Sequence, residues 1–321
     1  LGDVYKRQYI CRTNSRHFPP QQGSDKMKNK IRNQCGRRRE RIFSNACIVP
    51  SLIGVMVFFI VPFAIVVYYS LISNPVTKEF VGLENYTKLF SNVAFKRAAQ
   101  NSIFFSVTAV PLSVVLSLGL AVILERNIPG KSILRTFFLS PLMVPTASVV
   151  LVWQVLFHNH GTINQIIESL GGTTVDWLSS KYGQLVIILM FLWKNLGYNM
   201  ILFMSALSGI PHDIIEVADL EGASSWYKFI HIKLRYLSPT ILFVLILSLI
   251  NSFKIFREVY LLTGNYPYDK LYMLQHFMNN TFNSLDYQKL SAAAVLFALV
   301  MIVVIAILLI AENIFGKDVE N

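Results

Sequence analysis

D-I-I-E-V-A-D-L-E-G-A-S-S-W-Y-K-F-I-H-I-K-L-R-Y-L-S-P, residues 213 to 239, is a polar island between two long apolar runs. It holds Glu216, Asp219, Glu221, Lys228, Lys233 and Arg235, too much charge for a segment that crosses a bilayer. It also carries the punctuation of ordered structure. Pro211 precedes it, and Asp213 is placed to cap a first helix, with Glu216 three residues on completing a capping box. Gly222 stops that helix, and Ser224 or Ser225 caps a second. The expectation is an ordered helix-turn-helix elbow between two membrane helices, suited to docking a soluble protein.

Outward from the island the chain is apolar. Of its 321 residues, 54% are hydrophobic and 15% charged, and the mean hydropathy is +0.49. A soluble domain rarely combines these values, and several runs reach the ~20 residues that span a bilayer. Six spans are read at about 46–72, 101–124, 136–157, 184–207, 237–262 and 290–315. They make one transmembrane domain over 46–315, between a basic tail, 1–45, and a short tail, 316–321. The loops leave no room for a soluble domain of any size. The expected fold is an all-α membrane protein, a six-helix transmembrane bundle with the elbow between spans four and five.

Lys and Arg set the orientation. With the N-terminus inside, the tail 1–45 holds twelve, loop 125–135 three, region 209–236 three and the last tail one, nineteen in all. The opposite loops, 73–100, 158–182 and 263–289, hold seven, and Lys194, Lys254 and Arg257 fall inside spans. Both termini and the elbow are therefore expected in the cytoplasm, with the chain multi-pass in the plasma membrane of a prokaryote. Most of the net charge of +11 sits in the first tail. It reads as a topology signal that touches anionic headgroups, not as a nucleic-acid surface. Residues 1–26 have no apolar run for a cleavable signal peptide. The chain opens on Leu1, and Met27, ahead of K-N-K-I-R-N-Q, is the more natural start. Residues 1–26 are left out of the expected fold. Cys11, Cys35 and Cys47 have neither metal-site spacing nor a disulfide framework and read as free thiols.

Span one carries Pro50 and Pro62, and span two carries Pro111 with Ser113, Ser117 and Gly119, small residues that let helices approach closely. Asn85 to Arg97 reads as a short surface helix. Span three opens S-P-L-M-V-P, so Pro141 and Pro145 should bend its inner end. The outer loop that follows contains G-T-I-N, residues 161 to 164, and Trp177. Span six is almost purely aliphatic and should pack or face lipid.

Polar side chains inside a span are costly and often functional. Span four offers Trp193, Asn195, Tyr198 and Asn199, with Lys194 beside them; span five offers Ser248, Asn251 and Ser252. Ser248, Asn251 or Ser252, and Ile255 recur at helical spacing. With the rings of Trp193, Tyr198 and Phe253, that face offers hydroxyl and amide groups beside aromatics, the combination a sugar needs. The competing reading is interhelical hydrogen bonding that only holds the bundle together. Lys254 and Arg257 either snorkel to the outer interface or attract an anionic solute. No catalytic constellation stands out. There is no G-x-x-x-x-G-K-[ST] phosphate loop, and His158 and His160 read as solvated rather than metal-binding. No cofactor or metal is expected, and energy for active transport must come from an ion gradient or a partner.

The elbow resembles the Glu-Ala-Ala loop of permease subunits of binding-protein-dependent ABC importers. Glu216-Val217-Ala218, Gly222, Ala223 and Ile232-Lys233-Leu234-Arg235 keep that loop's spacing. Val217 replaces its first Ala, and Arg235 replaces its final Pro, with Pro239 four residues on. Four patches, I-P-H-D-I-I-E-V-A from Ile210, W-K-N-L-G-Y-N-M from Trp193, F-H-N-H-G-T-I-N from Phe157 and F-K-I-F-R-E-V-Y-L-L-T-G from Phe253, are similar to the first of the paired permeases in carbohydrate importers. The Gly-Gly-Pro usual after that Thr-Gly is Asn265-Tyr266-Pro267 here. The resemblance covers about 46–315.

It implies a transport subunit, not an enzyme, with ATP hydrolysis in a separate ABC ATPase. Residues Asp213 to Glu221 would be a coupling helix seated in a cleft of that ATPase. Asp213, Glu216, Ala218, Asp219, Glu221, Gly222 and Ala223 would form the coupling set. A second permease would supply the other half of the path, and an extracytoplasmic solute-binding protein would deliver a sugar. Substrate contacts would fall on Trp193, Asn195, Tyr198, Ser248, Asn251 and Ser252. Two alternatives stay open: an ABC permease for another solute, such as glycerol phosphate or an amino acid, and a secondary transporter. The second needs an intramembrane acidic residue, and Glu258 reads as lying near an outer end.

Overall fold

The computed structural model describes residues 48–125 and 128–316. The basic tail, the three cysteines, the start at Met27, Arg126 and the last five residues lie outside them. The chain divides into two compact units, Leu1–Ala64 and Ile65–Asn321.

In the first unit residues 48–64 are helical, with a π-turn at Met56–Ile60. Pro62 explains the turn. It offers no N–H to the Phe58 carbonyl and crowds it, and a wider turn relieves the clash. This stretch belongs to α1 (Ile48–Ser70), the first helix long and apolar enough to cross a membrane.

Among the described residues of the second unit the regular elements are all helical, and one isolated bridge pairs Ile72 with Phe80. After α1 come α2 (Glu84–Ser91), α3 (Val93–Glu125), α4 (Lys131–Leu139), α5 (Thr146–Leu156), α6 (Thr162–Ser169) and α7 (Gly183–Ser208). Then follow α8 (His212–Leu220), α9 over 225–236, α10 (Ser238–Lys254), α11 (Phe256–Thr263), α12 (Leu274–Asn283) and α13 (Tyr287–Gly316). Among the described residues five helices are long and apolar enough to cross a membrane, counting α10 and α11 as one, and six if the bent pair α4–α5 is one span.

That pair corrects the reading of the third span. A 3₁₀ turn, Ser140–Met143, prolongs α4, and the chain then bends by 102° into α5. Proline disfavours the α conformation in the residue before it; Val144 is extended (ψ 128°) and Pro145 takes the N-cap position of α5. The break therefore falls in the middle of the expected span, not at its inner end. The surface helix expected over Asn85 to Arg97 is also two elements. It stops at Ser91, and Val93 to Arg97 already belong to α3. Arg97 reaches outward to Asp269 at 2.8 Å.

α3 and α7 form the centre. Phe105 and Ala109 of α3 meet Ile187, Met190 and Phe191 of α7, closed by Val149 and Val150 of α5 and by Ile255 and Val259. Further along, Val114, Ala121 and Leu124 meet Met200, Phe203 and Leu207, closed by Leu237 and Val244. A third cluster joins Leu89, Phe95, Phe277, Ala292 and Ala293. Lipid is as apolar as these side chains, so close packing and interhelical hydrogen bonds, not exclusion from water, hold such helices together. α4 comes so near α7 at Gly197 that a Cβ there would lie 1.8 Å from the Phe138 carbonyl oxygen. α13 is the most apolar of these helices and exposes Ile302, Val303, Ile307 and Ile310, a surface suited to lipid.

Candidate functional site

The elbow is built as a helix pair with a closed turn. α8 ends in a Schellman motif. The Gly222 N–H donates to Asp219 O at 3.0 Å, and the Ala223 N–H donates to Ala218 O at 2.9 Å. Gly222 sits at φ +78°, and a Cβ there would meet nothing within 4 Å. The backbone conformation alone therefore demands glycine. Ser224, not Ser225, caps the second helix, its Oγ accepting from the Tyr227 N–H at 3.2 Å. The expected capping box does not form. Pro211 takes the N-cap position without a side-chain bond and the helix starts at His212, one residue earlier than read. Asp213 lies in the first turn, where its carboxylate faces the positive end of the helix dipole.

Asp219 pairs with Lys228 across the turn. Lys233 donates to both Glu125 carboxylate oxygens, each at 2.7 Å, and fastens α9 to the end of α3. Ile215 and Tyr236 pack on the central cluster. The opposite side of α8 exposes Asp213, Glu216, Val217, Asp219 and Leu220, the last 85% exposed; Glu221 is also exposed, and Ala218 and Ala223 are half-buried.

The polar residues read as one face divide into a seam and a cavity. In the seam, the buried Asn199 amide donates to Ser113 Oγ and Ser248 Oγ, both at 3.0 Å. Ser252 donates to the Leu249 carbonyl and lies 2.9 Å from Ser106 Oγ. These contacts tie α10 to α3 and α7. Asn195 and Asn251 are different. Asn251 Nδ2 donates to Asn195 Oδ1 at 3.0 Å, and both line a cavity of about 670 Å³ between α7, α10 and α11. Trp193 and Tyr198 do not line it; the Trp193 ring lies 6.4 Å from Trp153. Phe253 turns toward α13 and packs edge-on against Phe297.

The cavity wall also carries charge among apolar side chains such as Leu142, Phe191 and Leu261. Lys194, Lys254, Arg257 and Glu258 all line it. Glu258, expected near an outer end, is 5% exposed and pairs with Lys194, which also donates to Thr146 Oγ1 at 3.4 Å. The pair joins α7, α11 and the start of α5. Sequence reasoning set Lys194 beside its polar group and discounted Glu258. The usable signal was one charge of each sign on neighbouring spans, since ionisable groups within a membrane pair with one another.

On the side of the opposite loops, Asn164 of G-T-I-N is a buried hub. Its amide donates to Asn159 O and Val175 O, both at 2.9 Å, and its Oδ1 accepts from Trp177 Nε1 at 3.0 Å. Trp153 stacks on Phe157 beneath it. His276 is fully buried against Phe256, and burial pushes its imidazole down to about 4.

Comparison with known proteins follows this geometry. Residues 113–321 match the family model described as binding-protein-dependent transport system inner membrane component. The trehalose/maltose transport system permease protein MalF of Thermococcus litoralis is 32% identical over 270 residues, 82% of this chain and 91% of that protein. The sulfoquinovosyl glycerol transport system permease protein SmoG of Agrobacterium fabrum is 29% identical over 272 residues, 82% of this chain and 88% of that protein. A chain of a bacterial ABC transporter that imports the acidic polysaccharide alginate superposes with a TM-score of 0.74 at 19% identity, covering 90% of this chain and all of that one, a likeness of fold. The family match over most of the chain and the likeness to MalF along nearly its whole length lead to one assignment: this chain belongs to the inner membrane components of binding-protein-dependent transport systems.

Proposed function

We propose that this permease subunit forms half of a path for a sugar or sugar-like solute and takes its drive from a cytoplasmic ABC ATPase through α8. Membership of the family makes the chain a multi-pass transport component of the plasma membrane that works with a solute-binding protein. The transport role of α8 and the inward orientation of both termini are our reading. One observation carries it. The Schellman turn at Gly222 and the Asp219–Lys228 pair join α8 to α9, which the Lys233–Glu125 contact fastens to the end of α3, while Glu216, Val217 and Leu220 stay exposed. A short helix with an uncovered mixed face, tied through α9 to a membrane helix, can transmit a push from a soluble partner. The saccharide class is supported by what the related MalF and SmoG carry. Hydrolysis of ATP falls to the partner, and a second permease completes the path.

The test is uptake by the assembled importer in proteoliposomes. Gly222→Asp forces a side chain into the left-handed region and puts a negative charge at the negative end of α8, a local cost of about 1–2 kcal/mol. Glu216→Lys reverses the charge of the exposed face. Each should abolish ATP-driven uptake while the chain remains inserted and assembled. Wild-type uptake in both variants overturns the coupling role. Stimulation of ATPase activity by sugars, against glycerol phosphate and amino acids, identifies the solute class.

A further inference from the structure

The 670 Å³ cavity between α7, α10 and α11 has an unbalanced wall. It carries three cations, Lys194, Lys254 and Arg257, against one carboxylate, Glu258. Lys194 and Glu258 are paired with each other. Lys254 and Arg257 are exposed and make no ion pair among the described residues. Both stand on the one-turn ridge that ends α10 and opens α11. Glu258 Oε2 is buried and has no hydrogen-bond partner. That oxygen is closed off from the cavity, so the Glu258 carboxylate serves Lys194 and leaves Lys254 and Arg257 unbalanced. The amides of Asn195 and Asn251 line the same space.

Snorkelling accounts for a lone cation at a membrane edge. It does not account for two uncompensated cations on the wall of a cavity that also holds a pair of amides. A volume within the ~300–1,000 Å³ of small-molecule sites would be left mostly empty by an inorganic ion. Resting on the transport reading above, we infer that this cavity receives an anionic saccharide: Lys254 and Arg257 face its acid group, and the amides of Asn195 and Asn251 bond its hydroxyls. The same cations could face the phosphate of an anionic lipid, and the experiment separates the two.

The importer is purified from its native membrane with its partner subunits, in a nonionic detergent. Lys254 is acetylated with a small neutral reagent and the modified peptide is followed by mass spectrometry. The probes are galacturonate and galactose, alike but for the carboxylate, and phosphatidylglycerol in a separate arm. Galacturonate should slow modification of Lys254 about tenfold at roughly ten times a Kd on the order of 1 mM. Galactose at the same concentration should not, and Arg257→Gln should remove the protection. Protection by neither sugar, equal protection by both, protection by the lipid alone, or galacturonate protection that survives Arg257→Gln would each overturn the inference. Protection needs no ATP turnover, so its failure is distinct from failure of the coupling role of α8.

Discussion

Lys194 and Glu258 show how unequal two partners in one ion pair can be. The Glu258 side chain is 6% exposed and the Lys194 side chain 23% exposed. Removing Lys194 strands a buried carboxylate that already has one unpartnered oxygen. Removing the Glu258 charge leaves an ammonium that can extend toward water on its flexible stem. Breaking a buried pair from one side costs about 3–5 kcal/mol when the remaining charge stays buried. Lys194→Met should approach that loss, Glu258→Gln should lose about 1 kcal/mol, and the double variant should recover most of the Lys194→Met loss. Thermal unfolding of the purified chain in detergent measures the order. Equal destabilisation by the two single variants would show that burial does not set the balance. The same local logic explains the elbow. Gly222 and Ser224 are legible in the sequence because each serves its own backbone. Asp213 was misplaced because the proline before it moved the helix start by one residue.

At the scale of elements, close approach of backbones decides what a side chain is allowed to be. Gly197 faces the Phe138 carbonyl on α4, and no rotamer relieves a contact with backbone. Gly197→Ala must push α4 away from α7, opening the core at Phe138 and Met200. The expected outcome is a loss of about 2–3 kcal/mol, on the scale of overpacked cores, seen as a lower melting temperature and a lower yield of inserted protein. A melting temperature within error of wild type would mean that α4 is free to shift. Long apolar runs made α1, α3, α7, the α10–α11 run and α13 legible, since hydropathy and length suffice for them. The bend at Val144–Pro145 was only half legible. Both prolines announced a distortion, but which one ends the helix depends on what packs behind each. Val93 to Arg97 were detached from α3 because Lys96 and Arg97 end the apolar run, yet a helix continues through such residues where their charged ends reach outward.

For the whole molecule, the polar face of spans four and five was legible as a set and not as an arrangement. Helical spacing places Ser248, Asn251 and Ser252 near one another but says nothing of which neighbour each meets. α3 supplies Ser106 and Ser113, so Ser248 and Ser252 serve the seam, while Asn251 is left to the cavity. Glu258 was missed for the same reason: depth along a span is readable, and the partner across it is not. Orientation is a property of the complete chain, set by the sum of its loops. Nineteen Lys and Arg on one side against seven on the other is a strong bias, because cationic loops near span ends resist translocation. On our proposed reading the elbow lies inside and the Asn164 hub outside. With the native cysteines replaced by serine, Thr173→Cys and Ser225→Cys each put one thiol at an exposed position, the first in the loop after α6 and the second in α9. In sealed right-side-out vesicles a membrane-impermeant maleimide should label Thr173→Cys at once and Ser225→Cys only after permeabilisation. The reverse pattern would put the elbow outside, beyond reach of any cytoplasmic ATPase, and would remove the coupling role of α8 in one step.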